Sequence, residues 1–156
     1  MAERDHLIGL RRSAPGYEQD YAGWLSHQVD LMKASRWSEL DHANLIDEVE
    51  SLGRSDFASF ASAIEIVLVH MLKWDVQPAK RTPSWVASIE EHRRRIDQSL
   101  QDNPSYKPRI PEAVTRAWRT APAKAASEAN LRLKAFPAEN PYDWAAITTR
   151  PHQLPD

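Results

Sequence analysis

The stretch that decides the fold reads Ile46-Asp47-Glu48-Val49-Glu50-Ser51-Leu52-Gly53-Arg54-Ser55 and continues as an apolar run ending His70-Met71-Leu72-Lys73-Trp74. Acidic residues lie at its start, a His and a Trp close it, and no proline interrupts it. Its apolar residues recur every three or four positions, which is the period of an amphipathic α-helix. The stretch therefore predicts core helices, and its polar ends are the first candidates for a functional site.

Helix signals divide this stretch into two predicted helices. Ser38 and Asp41 are spaced like a capping box, which predicts the start of one helix there. Gly53 is a plausible terminator for it, or a point where the chain bends and continues. Ser55 with Asp56 then predicts the N-terminus of the next helix, whose broad apolar face is typical of the central helix of a bundle.

Further helices are predicted on both sides of the stretch. One covers 17–33, and another begins at Thr82-Pro83, where Thr serves as N-cap and Pro as the first helical residue. A last long helix follows Pro111 and continues through Leu131 and Leu133 to Lys134, but Pro122 should kink or break it. The sequence therefore predicts an all-α bundle of five or six helices with short loops.

Length and composition suit one soluble domain. The chain has 156 residues, enough to bury roughly 70% of its unfolded surface. It has no Cys, which excludes disulfides and thiolate ligands and fits a reducing compartment. The N-terminal apolar run is too short for a signal peptide or a membrane span. We expect a single domain over 1–156, ordered over about 17–144 with frayed ends, in the cytoplasm and without membrane association.

Charge is unevenly distributed along the chain. Residues 1–78 carry 7 Lys and Arg against 13 Asp and Glu, and residues 79–156 carry 13 against 9. The first half is therefore −6 and the second +4. This asymmetry suits attraction within the fold, a homodimer or a basic face for nucleic acid. Consecutive Arg93, Arg94 and Arg95 fan out around their helix, so a solvated basic face is the preferred interpretation.

Two polar motifs have chemical potential. Glu39-x-x-His42 has the spacing of a di-iron ligand pair, but the remaining ligands of such a site are missing, so no metal or other cofactor is expected. Glu48 lies about 60° from the Leu45/Val49/Leu52 axis, at the edge of the predicted buried face. A carboxylate there needs a partner, for which His70, Lys73 and a Trp indole are the candidates.

The arrangement of Glu48 and His70 has two interpretations. In the structural one, both are part of a polar seam that fastens the second predicted helix to the third. In the functional one, Glu48 is a general base or metal ligand and His70 its partner. The candidate seam or functional surface consists of Glu48, Arg54, His70, Lys73, Trp74 and Trp85.

Several motifs in this order resemble the DUF29 family, small α-helical bacterial proteins without an assigned biochemical function. They are Tyr17-x-x-Asp20 with Trp24, Ser38-Glu39-Leu40-Asp41, Glu48-x-Glu50-Ser51-Leu52-Gly53-Arg54-Ser55, His70-x-x-Lys73-Trp74-x-x-Gln77-Pro78, Ser84-Trp85, Asn103-Pro104-Ser105, Phe136-Pro137 and Pro141-Tyr142. The chain departs from the family at Pro122 and at Asn130, where Gly is usual. Asn still tolerates the left-handed conformation of a helix stop. The resemblance implies an all-α fold and no particular reaction.

The leading functional prediction is a non-enzymatic protein-interaction module with a protein partner or a second copy of itself. Two alternatives stay open. One is a nucleic-acid-associated protein that uses the basic second half. The other is a metal-dependent or acid/base enzyme that uses Glu48 and His70.

Overall fold

The computed structural model describes residues 14–154, and within them it contains six α-helices and no strands. The helices are α1 Tyr21–Lys33, α2 His42–Val76, α3 Pro83–Asp102, α4 Ile110–Trp118, α5 Ala121–Ala129 and α6 Trp144–Thr149. The all-α prediction is confirmed. The chain divides into two compact units, Met1–Leu52 and Gly53–Asp156, which are described separately below. The expectation of a single domain stays a prediction.

The first unit contains α1 and the first turns of α2. α1 begins four residues later than predicted, because the Asp20 side chain caps it by accepting a hydrogen bond from the Gly23 N–H. The helix buries only three side chains, those of Trp24, Gln28 and Leu31. One of these three is polar, so this unit has little apolar core of its own.

The predicted division of the central stretch into two helices is wrong, because α2 is one helix of 35 residues. Gly53 lies inside it without a positive φ, so it does not terminate the helix. Ser55 and Asp56 are interior residues rather than caps. The helix begins after Asp41, whose carboxylate accepts the Asn44 N–H at 3.3 Å, whereas Ser38 lies in a short 3-10 turn, Trp37–Glu39.

The core of the second unit is built around the rest of α2. From Phe57 onward this helix buries almost every apolar side chain, and Ile64, Leu68 and Leu72 are completely inaccessible. The opposing helices contribute small residues, which let them approach α2 closely. These residues are Ala113, Ala117, Ala121, Ala125, Ala126 and Ala129.

Helix α2 also has the length and hydropathy of a membrane-spanning helix, but 61% of its most apolar window is buried in the fold, as in the core helix of a soluble protein.

Pro83, Pro122 and Asn130 set the ends of the later helices, and the two prolines do so as predicted. Thr82 and Pro83 begin α3, although the Thr82 hydroxyl pairs with Ser84 instead of capping the backbone. Pro122 lies in the first turn of α5 and separates it from α4, so the break is confirmed. Asn130 has a φ of 52° and ends α5 in the left-handed conformation.

The chain beyond Asn130 differs from the prediction. Leu131 and Leu133 do not continue the helix and are exposed. Phe136 and Tyr142 return to the core. Packing then extends past the predicted limit at Trp144, because Ile147 and His152 are buried.

Arg93 of α3 stabilises this C-terminal segment. Its guanidinium donates hydrogen bonds of 2.8, 3.0 and 2.8 Å to the carbonyls of Ile147, Ala146 and Arg150 at the end of α6. The Ala146 carbonyl also accepts the Arg150 N–H, and the guanidinium places a positive charge at the C-terminal end of α6, where it favours the helix dipole. Arg150 in turn pairs with Asp75 at 2.7 Å.

Candidate functional site

Glu48 is held by two tyrosines of the first unit. Tyr17 Oη donates to Glu48 Oε1 at 2.5 Å, and Tyr21 Oη donates to Oε2 at 2.9 Å. Tyr17 lies in the turn before α1 and Tyr21 is the first residue of that helix, and their rings contact edge-on with centroids 5.7 Å apart. The prediction that Glu48 needs a partner is therefore confirmed, but the proposed partners His70, Lys73 and a Trp indole are wrong.

These hydrogen bonds shift the pKa values of all three groups. The Tyr17 hydroxyl, and after it that of Tyr21, stabilises the carboxylate and lowers the pKa of Glu48. The same bond to Glu48 raises the pKa of Tyr17 to about 12, and that of Tyr21 also rises. A carboxylate with a lowered pKa and two tightly protonated phenols is a poor general base at neutral pH. The cluster is best explained as a fastening between α1 and α2.

A second polar cluster in the same unit joins Trp24 and Gln28 of α1 to Asp41, the residue before α2. Trp24 Nε1 donates to Asp41 Oδ2 at 3.2 Å, and the buried Gln28 accepts the Asp41 N–H at 2.8 Å. Hydrogen bonds from the Asn44 side chain and backbone are the main cause of a lowered pKa of Asp41. Trp24 also contacts the ring of Tyr17 edge-on, with centroids 4.8 Å apart. The first unit is thus held together largely by polar and aromatic contacts.

The apolar face of α2 in the first unit is not buried, which corrects the prediction for Val49 and Leu52. Ile46, Val49 and Leu52 are 59, 69 and 72% exposed. At about 100° per residue they fall within about 120° of the helix circumference, with Glu48 on one flank and Glu50 on the other. Ile46, Val49 and Leu52, each three residues from the next, therefore form an exposed aliphatic stripe between Glu48 and Glu50. This surface is named the α2 stripe.

The second unit brings together a different set of the predicted site residues. Lys73 is buried, its Nζ lies 2.7 Å from Glu128 Oε2, and it stands 4.6 Å from the centre of the Trp85 ring. His70 lies in the same region, where burial is the first cause of its lowered pKa and the charge of Lys73 the second. Its Nδ1 has no hydrogen-bond partner among the described residues.

Trp74 packs with residues outside that cluster. The Arg81 guanidinium lies 4.6 Å from the centre of its ring, and the buried His152 contacts it edge-on with centroids 5.2 Å apart. Arg54 lies on the exposed surface of α2 and is not among these contacts. The predicted residues of the second unit are therefore divided between two sets of packing contacts.

The predicted seam between two helices is not formed. Glu48 and His70 lie on one continuous helix, twenty-two positions apart, so their side chains cannot meet. Each makes its contacts within its own unit. Glu39 pairs with Arg36 instead of joining His42. Over residues 14–154, no group of three or more His, Cys, Asp or Glu side chains is placed to hold a metal ion.

Sequence reasoning missed one buried ionic group, Glu65. Its carboxylate accepts a hydrogen bond from Thr120 and lies 2.6 Å from Lys124 Nζ. An acidic residue between Ile64 and Ile66 in an apolar helix was the available signal, because a buried charge must be paired. Both oxygens of Glu65 are engaged by α5 and its N-cap, so this group holds helices together.

The basic residues of α3 are mostly engaged as well. Arg93 binds the C-terminal carbonyls described above, and Arg94 and Arg95 both pair with Glu91. A cleft of about 620 Å³ beside Arg94 and Arg95 is otherwise lined by His92, Gln98, Ala63, Ile66 and three serines. Trp85 and Trp118 are not in its lining, so neither indole is available there to stack a nucleic-acid base.

These features define an all-α protein whose polar clusters join neighbouring helices and whose most unusual surface is the α2 stripe. The chain belongs to the family described as domain of unknown function DUF29, whose model matches residues 17–151. No curated protein and no solved structure matches it. The family carries no assigned activity, so function has to be argued from the surface.

Proposed function

We propose that this protein is a non-enzymatic interaction module whose first unit binds a basic amphipathic helix of a partner protein. The observation that carries the proposal is the exposure of Ile46, Val49 and Leu52 on the α2 stripe. Grooves and faces of this kind recognise helices through apolar anchors spaced three and four residues apart. A contiguous exposed apolar patch on an otherwise well-packed protein is typical of a binding surface.

The distribution of exposed apolar side chains supports this proposal. Nine large apolar residues are exposed in the described part of the chain, and seven of them belong to the first unit. These seven are Tyr21, Leu25, Val29, Trp37, Ile46, Val49 and Leu52. The first unit is the shorter of the two, so the enrichment favours it as the place where a partner binds.

Charge favours a basic partner over a second copy of the chain. The first unit contains 5 Lys and Arg against 10 Asp and Glu, a formal charge of −5. Pairing two α2 stripes would bring two such units together, and like charges at an interface oppose association. A helix with an apolar face and Lys or Arg on its flanks would instead meet this acidic unit with opposite charge.

The test compares two synthetic amphipathic peptides, one of Leu and Lys and one of Leu and Glu, by isothermal titration calorimetry. We expect saturable binding of the Leu/Lys peptide only, weakened by salt because the flanking contacts are ionic. The double variant Val49→Ser/Leu52→Ser should bind about tenfold or more weakly, since it removes two apolar anchors. Leu131→Ser, an exposed aliphatic of the second unit, is the matched control and should bind normally.

Two results would overturn the proposal. One is equal binding of both peptides, or binding that the double variant leaves unchanged. The other is a stable homodimer in light scattering that the double variant converts to a monomer, because the α2 stripe would then be covered by a second copy.

A further inference from the structure

An apolar groove in the second unit is separate from every contact described so far. It has a volume of about 560 Å³ and lies between the α4–α5 junction and the segment that follows α5. Its walls are formed by Trp118, Pro122, Leu133 and Phe136, and Arg119 and Lys134 also line it. This volume falls in the range of small-molecule sites, roughly 300–1,000 Å³.

The groove follows from the two helix breaks in this part of the chain. Pro122 separates α5 from α4, and Asn130 turns the backbone out of α5. The chain then makes a short 3-10 turn, Leu133–Ala135, before Phe136 packs into the core. The groove is therefore bounded by the backbone of these turns on both sides.

The apolar walls are only partly used by the fold. Phe136 is 7% exposed and belongs to the core, whereas Leu133 is 57% exposed although it lines the same groove. Leu131 and Leu133 are the only large apolar residues with marked exposure in the described part of the second unit. The exposed surface of Leu133 continues the apolar wall of the groove, and a ligand bound there would remove it from water.

Charge indicates the class of ligand. Arg119 and Lys134 form no ion pair with any residue in 14–154, and the described lining contains no Asp or Glu. Two other cations of this unit are engaged, Lys124 by Glu65 and Lys73 by Glu128. Two unpaired cations on an apolar groove complement a ligand that carries a negative charge on an apolar body.

We infer that this groove binds a small amphiphilic carboxylate, an aliphatic or aromatic body that carries one carboxylate group. The apolar part contacts Trp118, Leu133 and Phe136, and the carboxylate pairs with Arg119 and Lys134. A phosphate ion would leave the apolar walls unused, and a neutral hydrocarbon would leave both cations unpaired. The carboxylate with an apolar body is the class that uses both features.

The experiment uses decanoate, decan-1-ol and acetate as probes for the full chain, with binding followed by two-dimensional amide NMR. We expect saturable shifts confined to residues 118–138 with decanoate, weaker binding of decan-1-ol, and none of acetate. The double variant Arg119→Gln/Lys134→Gln should weaken decanoate about tenfold or more while leaving decan-1-ol unchanged, because it removes only the charge-assisted contacts. Lys80→Gln, an exposed cation of the same unit, is the control and should behave as the unchanged protein.

The inference is overturned if decanoate shifts residues elsewhere, or if the double variant binds it as well as the unchanged protein does. It is also overturned if a synthetic Leu/Glu amphipathic peptide occupies the groove more tightly than decanoate, because the groove would then be a peptide site. Leu133→Ser gives a second measure, since it should weaken decanoate and decan-1-ol alike. None of these outcomes depends on whether the first unit binds a basic helix.

Discussion

The two units use the same helix in opposite ways. In the second unit, α2 buries its apolar side chains against alanines of the facing helices. In the first, the continuation of that helix exposes its aliphatic side chains and is held by Tyr17, Tyr21 and the Trp24–Asp41 pair. The difference shows that apolar periodicity identifies a helix without saying whether its apolar face is covered.

The largest expected effect comes from one substitution made in each unit. Leu68 and Leu52 lie on the same helix, but Leu68 is completely buried and Leu52 is 72% exposed. Leu68→Ala should lower the free energy of unfolding by about 2–5 kcal/mol, because it leaves a cavity in a packed core. Leu52→Ala should change it by no more than about 0.5 kcal/mol. Urea denaturation of the two variants measures both values.

Similar losses in the two variants would contradict this comparison. They would mean that Leu52 is buried in the folded protein, and the α2 stripe would then be a part of the core. Leu52→Ala is also the control for helix propensity, since both substitutions place alanine in the same helix.

Local stereochemistry explains which features the sequence could predict. Pro122 lacks the N–H that a continuous helix needs, and Asn130 accepts the left-handed conformation, so both helix ends were predictable from single residues. Gly53 was ambiguous, because its cost in a helix is only about 1 kcal/mol. The core packing that begins at Phe57 exceeds that cost, and no local signal reports it.

The partner of Glu48 depended on tertiary placement instead. The position of Glu48 around the helix axis indicates that its carboxylate needs a partner. Which residue is that partner depends on where α1 and the turn before it lie. Tyr17 and Tyr21, four residues apart and followed by Trp24, were the one available signal, because such spacing places aromatic hydroxyls on one face. Because Val49 and Leu52 are exposed, the side of the helix that carries Glu48 does not face the region of His70 and Lys73.

An effect of intermediate size is expected for the hydrogen bond between Tyr17 and Glu48 in the first unit. Glu48→Gln should move the pKa of Tyr17 from about 12 back towards its ordinary value of 10.0, because the charged acceptor is lost. The shift is measured from the tyrosine ring carbons by NMR, with Tyr17→Phe for assignment. Asp47→Asn removes a neighbouring carboxylate and is the matched control, and it should leave this pKa in place.

The same pair gives a pH dependence with a defined sign. The pKa of Glu48 is lowered in the folded protein, so its contribution to stability is present above the ordinary value of 4.5 and is lost as the pH falls through the folded value. The pKa of Tyr17 is raised, so its contribution is present below pH 10 and is lost as the pH rises towards about 12. An unchanged Tyr17 titration in Glu48→Gln would show that another group holds the phenol.

The smallest effect is expected at Gly53, at the start of the second unit. A Cβ built there meets no atom within 4 Å, and the residue has no positive φ, so alanine fits the helix without strain. Gly53→Ala should raise the free energy of unfolding by about 0.5–1 kcal/mol through reduced freedom of the unfolded chain. Gly23→Ala in α1 is the matched control, because there the added Cβ collides with the Asp20 carboxylate that caps the helix. Thermal melts measure both variants. A higher melting temperature for Gly53→Ala and a lower one for Gly23→Ala would agree with an open helix surface at Gly53. A lower melting temperature for both would mean that the folded protein covers Gly53.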